Sequence, residues 1–195
     1  MADALQIERE GTLLIVRFTR PEIRNPLSIA VIRQLCEAID EVENDEHVTA
    51  VIFTGTDSVF ASGADLREIA EVTPATVREF AIRGQALMSK IAALPQTTVA
   101  AINGYCFGGA LDLALACDRR VASANAQFAH PGAGLGIITG WGGTQRLPRL
   151  VGRGNAMEMF FTAEAIWAER AVAIGLIDEI AADPLARARE FVRDR

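Results

Sequence analysis

Residues 103–118 read NGYCFGGALDLALACD, a glycine-rich turn that runs straight into an apolar helical pattern through Leu111, Leu113, Ala114 and Leu115. Just before it, residues 97–102 (TTVAAI) form a short run of small and β-branched residues, the pattern of a strand buried on both faces. The same order occurs once upstream. Residues 48–54 (VTAVIFT) read as a buried strand that stops at Gly55. A loop of small residues, 55–63, follows it, and a helical stretch begins near Asp65.

Outward from these two units, residues 13–18 (LLIVRF) predict a strand. Between positions 27 and 43 the apolar residues Ile32, Leu35, Cys36, Ile39 and Val42 fall on one helix face. A second amphipathic helix spans 76–93 and is closed by Pro95. Downstream come short strands at 119–122 and around Phe128, then a long glycine-rich loop, 132–143. Helical patterns cover 144–161, residues 169–174 lead to a strand near 177–180, and Asp183-Pro184 opens a last helix. Strands alternating with helices, with buried apolar strands among them, predict an α/β fold containing parallel β-structure.

The chain has 195 residues, of which 50% are hydrophobic and 23% charged, with a net charge of −6. That apolar fraction argues against a disordered chain. The acidic balance, without a Lys/Arg block, argues against nucleic acid as a partner. Cys36, Cys106 and Cys117 are odd in number and widely spaced, and the histidines are His47 and His130. Neither a disulfide framework nor a metal site is expected, and a reducing, cytoplasmic location is. The N-terminal stretch carries Asp3, Glu8 and Glu10, unlike a secretory leader. The membrane-like stretch 97–117 contains Asn103, Asp112 and three glycines, so a strand, a turn and a helix explain it better than a membrane span.

The chemistry concentrates in the two glycine turns, 60–69 (FASGADLREI) and 103–118. A helix N-terminus carries unpaired N–H groups and the positive end of the macrodipole. Two such ends converging on one oxygen would form an oxyanion hole, in which a single donor is worth about 3–4 kcal/mol of transition-state stabilisation. A single glycine turn, by contrast, is explained well enough by tight turning and close packing.

Taken together, FASGAD, NGYCFGG followed by CD, FAHPGAGLGIITGWGGTQRLPRLVG (128–152) and AMEMFFT (156–162) closely resemble the enoyl-CoA hydratase/isomerase family, the crotonase superfamily. The resemblance runs in order from Arg20-Pro21 to Ile180. It implies a crotonase-like spiral of ββα repeats, assembled as a homotrimer or hexamer, that binds an acyl-CoA thioester. Coenzyme A enters as part of the substrate, and no separate cofactor is implied. Carried over by motif, the two amides that polarise the thioester carbonyl belong to Ala64, after Ser62-Gly63, and to Gly109, after Gly108. Glycine at 109 would let a ligand approach its N–H. The loop from Ser62 through Asp65, Leu66 and Arg67, with Arg24, falls where relatives hold the adenine and phosphates. Arg24 and Arg67 read equally well as ordinary solvated charges.

Two positions depart from the family. Its hydratases flank the attacking water with two glutamates. The first position, three residues after the oxyanion glycine, is Asp112 here, and one helical turn places its carboxylate on the Gly109 face, aimed into the same cleft. The second is Gly132, which cannot transfer a proton. Shortening the acid by a methylene costs on the order of 100-fold, and losing a general acid/base typically about 10²–10⁴-fold. The aspartate of the family's dienoyl-CoA isomerases and dehalogenases would fall at Gly140, and that of its naphthoyl-CoA synthases at Thr139, so those chemistries gain no support. An anion or water beside Gly132 is compatible with the sequence.

His130 reads either as a proton carrier near neutral pH or as a packed wall residue turned away, and the packed reading is preferred. Asp112 reads as a base or water orienter, or as a helix-start charge. Relatives continue for several tens of residues beyond the equivalent of Arg195. The expected organisation is therefore a core at 1–182 and, at 183–195, the start of a C-terminal helical region that is short or truncated. The expected activity is enoyl-CoA hydration or isomerisation through a stabilised thioester enolate. The alternative is a non-catalytic acyl-CoA-binding protein.

Overall fold

The computed structural model describes residues 4–193; positions 1–3 and 194–195 of the expected core and C-terminal segments lie outside the described residues. Its main sheet has six strands in the order β1-β2-β4-β7-β9-β12. These are Leu5–Glu10, Leu13–Phe18, Ala50–Thr54, Thr97–Ile102, Arg119–Ala122 and Glu179–Ile180. All neighbours are parallel except the β1–β2 hairpin. Alternation of side chains divides this sheet between two cores. Val16, Val51, Phe53, Ala100 and Ile102 face the larger one, while Ile15, Ile52, Val99, Ala101 and Val121 face a smaller one with Ala188. That two-sided burial is why β4 and β7 read as continuous apolar runs.

A smaller sheet, in the order β11-β10-β8-β5, stands beside it. Its strands are Ile166–Trp167, Gln127–Ala129, Tyr105–Phe107 and Val59–Ala61. A two-stranded pair joins β3 (Pro26–Leu27) to β6 (Gly63–Ala64). The chain alternates between the two sheets and then enters a helix: β4 to β5, β7 to β8, β9 to β10. This is the spiral of ββα repeats, an α/β fold.

The helices are α1 (Ile29–Glu43), α2 (Leu66–Ala70), α3 (Val77–Ala93), α4 (Gly109–Ala116), α5 (Gly143–Val151), α6 (Arg153–Thr162), α7 (Ala168–Ala173) and α8 (Pro184–Arg193). Ser28 caps α1, its hydroxyl accepting the Val31 N–H at 3.3 Å. In α4 every residue from Ala110 to Ala116 is buried, Asp112 included among otherwise apolar side chains. The helix α8 lies across the smaller core against β4, β7 and β9. No helix among the described residues is long and apolar enough to cross a membrane.

Three local features differ from the sequence reading. Residues 5–10 form β1, whose pairing with β2 has no local signature. Residues 105–107, read as part of a turn, are a strand because β5 and β10 bond to both its edges. The helical stretch 144–161 is two helices, broken at Gly152 with φ 80°.

Candidate active site

The two glycine loops are stitched together by Asn103. Its Oδ1 accepts the Gly55 N–H at 3.0 Å, and its Nδ2 donates to the carbonyls of Asp57 and Val59 at 2.9 and 3.2 Å. Gly108 has φ 55° and anchors its loop by donating to the Ala129 carbonyl at 2.9 Å. Gly63, at φ 86°, is what permits contact between the loops. A Cβ there would lie 2.5 Å from the Gly109 nitrogen and 2.7 Å from the Phe107 oxygen, closer than atoms can approach. The amides of Ala64 and Gly109 are thus neighbours: the Ala64 nitrogen is 3.4 Å from where a Gly109 Cβ would sit.

Two details correct the sequence reading. Only Gly109 opens a helix, so its N–H has no partner within that helix. Ala64 belongs to β6 and pairs with Leu27; α2 starts two residues later, capped by Asp65. The need for glycine at 109 comes from packing, because a Cβ there would collide with the six-membered ring of Trp141.

Both amides border a cavity of about 400 Å³, lined at this end by Ser62, Ala64, Gly108, Gly109 and Trp141. Apolar side chains of α2, α3 and the 135–138 loop complete it, with Leu66 among them, and His130, Gly132 and Thr139 form the polar edge.

Asp112 is fully buried and does not line the cavity, contrary to the expectation that it points in. The loop following β10 captures it. Thr139 Oγ1 donates to its Oδ2, and the backbone N–H groups of Trp141 and Gly143 also favour its ionised form. Burial outweighs them and raises its pKa to about 7. Thr139, a residue of the cavity wall whose hydroxyl bonds to Asp112, is the link between this carboxyl and the cavity.

His130 is both packed and part of the wall. Its ring lies 5.2 Å from that of Phe160, and its Nε2 is 3.6 Å from Asp112 Oδ1, while neither ring nitrogen has a hydrogen-bond partner. Burial lowers its pKa to about 4, so it is neutral near pH 7. Gly132 leaves no vacancy for an anion or water on its Cβ side. A Cβ would meet the Ile137 carbonyl oxygen at 2.6 Å, in a turn closed by the Ile137 N–H donating to the Gly132 oxygen at 2.9 Å.

The remaining candidates are outside this cavity. Asp65 and Arg67 form an ion pair at 2.7 Å and line an adjacent groove of about 700 Å³ with Arg20 and Arg83. Arg24 borders a third depression, its guanidinium 5.1 Å from the centre of the Tyr105 ring. Sequence reasoning missed Asn103, Thr139 and Trp141 as site-building residues. Only the Asn-Gly pair carried a local signal.

Known proteins provide an independent comparison. Residues 8–191 match the family model described as enoyl-CoA hydratase/isomerase. The chain is 41% identical to the short-chain-enoyl-CoA hydratase of Clostridium acetobutylicum over 89% of its own length and 67% of that protein. It is 39% identical to the crotonyl-CoA hydratase of Syntrophomonas wolfei, again over 89% of its length and 67% of the relative. The crystal structure of the Bacillus anthracis enoyl-CoA hydratase superposes with a TM-score of 0.93 at 32% identity, covering 98% of this chain and 76% of that one. With the ββα spiral and the adjoining glycine loops already described, these matches establish the chain as a member of the enoyl-CoA hydratase/isomerase family.

Proposed function

We propose that this chain binds a 2-enoyl thioester of coenzyme A and hydrates or isomerises it through an enolate. The observation that carries the reading is the adjacency of the Ala64 and Gly109 amides at the end of an apolar cavity. Two N–H donors fixed on a backbone stabilise the negative oxygen of an enolate without having to reorganise as the charge develops, and preorganised donors of this kind commonly dominate the rate enhancement of such sites.

In hydration, water adds to the β-carbon, the π electrons move to the thioester oxygen between the two amides, and the water gives up a proton. Thr139 takes that proton as it passes its own to the Asp112 carboxylate, along their hydrogen bond. Return of the proton to the α-carbon completes the addition. Asp112, with a pKa of about 7, is matched to give and take a proton near neutral pH. Coenzyme contacts by Ser62, Asp65 and Arg67 and, from the third depression, Arg24 belong to the same reading. So does a trimeric or hexameric assembly, supported by exposed Met157, Phe161 and Trp167. Three unpaired thiols support a cytoplasmic location.

The test is a spectrophotometric assay for loss of the conjugated thioester of crotonyl-CoA, with isomerisation of a 3-enoyl-CoA run in parallel. Turnover is expected. Butyryl-CoA binding without turnover of any enoyl-CoA would instead establish a non-catalytic binder.

A further inference from the structure

Trp141 is 3% exposed, and its indole is seated on two glycines from different elements. A Cβ on Gly109 would collide with Cε3 and Cζ3 of the six-membered ring; one on Gly84 would collide with Cγ, Cδ1 and Nε1 of the five-membered ring. Gly84 lies in the interior of α3, where glycine is disfavoured relative to every residue but proline. Phe80, four residues earlier on the same helix face, puts its ring 5.7 Å from the indole. The indole therefore spans from the first residue of α4 to the middle of α3, beside the proposed thioester position. The cavity that remains, about 400 Å³, is at the small end for small-molecule sites and must also admit the end of the pantetheine arm.

We propose that Trp141 sets acyl-chain length, walling the cavity next to the carbonyl so that the substrate is a short-chain enoyl-CoA. The inference rests on the acyl-CoA reading above. A chain leaving the carbonyl meets the indole on one side and the apolar side chains of α2, α3 and the 135–138 loop around the rest of the cavity. The two glycines are seats for the indole, and filling either one pushes the ring toward the acyl space.

The experiment uses opposed substitutions in the full chain. Trp141→Leu keeps the backbone N–H beside Asp112 and enlarges the cavity. It should raise the kcat/KM ratio of trans-decenoyl-CoA to crotonyl-CoA by about tenfold or more, since a single methylene in an apolar pocket is worth about 10–200-fold. Gly84→Ala should move the ratio the other way. A ratio unchanged within about twofold in both variants, each folded by circular dichroism, would make Trp141 an ordinary core residue and overturn the proposal. Should no enoyl-CoA turn over, isothermal titration with butyryl- and decanoyl-CoA decides separately. Wild-type preference for butyryl-CoA that Trp141→Leu removes supports the chain-length role even though catalysis has failed. Equal affinities, or no binding at all, overturn it.

Discussion

Two regions border the same cavity and are held in different ways. On one side, the amides of Ala64 and Gly109 are backbone groups, brought together by the close approach that Gly63 alone permits and by the Asn103 bonds to the Gly55–Val59 loop. On the other, Asp112, His130 and Thr139 are side chains from three separate segments, one of them withdrawn behind the wall. The amide region keeps the residues on which the family resemblance rests, Gly63-Ala64 and Gly108-Gly109. The acid/base region departs from it at Asp112 and Gly132. A backbone device survives changes of side chain, whereas a proton-transfer device depends on each side chain and on the loop that holds it.

The largest expected effect breaks the acid/base region. Asp112→Asn should lower kcat by about 10²–10⁴-fold while leaving butyryl-CoA affinity nearly unchanged, as read by steady-state kinetics and calorimetry. Thr139→Val removes the hydroxyl link, and its loss should not add to that of Asp112→Asn in the double variant; additive losses would refute the relay. Next, Gly63→Ala attacks the amide region, forcing a Cβ into the Gly109 nitrogen at φ 86°. A fall of roughly 10²–10³-fold in kcat/KM is expected, and wild-type kcat/KM would dismiss the amide pair.

Restoring the family glutamate sharpens the contrast. Gly132→Glu should give no gain in hydration and should destabilise the fold by about 1–3 kcal/mol in urea titration, because its Cβ meets the Ile137 carbonyl. A rise in rate would show that the loop yields.

For the wild type, the smallest effect is the pH dependence of stability. Burial holds the Asp112 pKa at about 7 against an ordinary 3.8, so its stability contribution is full below about 4 and is lost as pH rises through 7. His130 is the reverse: held at about 4 against 6.5, it contributes fully above 6.5 and loses this as pH falls through 4. The two slopes oppose each other across pH 4–6.5. Stability of the wild type should be nearly flat there, and Asp112→Asn should unmask an acid-side loss of up to about 3 kcal/mol. With the carboxylate as the working form proposed above, kcat/KM should rise with pH up to about 7 and then level.

Most of this molecule is legible along the chain because its signals are local. The apolar runs at 50–54 and 97–102 mark strands buried on both faces, the Leu111–Leu115 pattern marks a buried helix, and the paired glycines mark the two loops that meet. The placement of Asp112 was not legible. Helical spacing places its Cβ on the face of Gly109, but a carboxylate goes where donors are, and these come from Thr139, Trp141 and Gly143, about thirty residues on. Separation in sequence likewise concealed β8, whose hydrogen-bond partners are other strands, and the reason for Gly84, which is an indole more than fifty residues away. Periodicity and backbone conformation are properties of neighbouring residues, so the sequence alone determined the elements and the amide loops. Desolvation, steric seats and proton partners are properties of whatever folds alongside, and those only the tertiary structure decided.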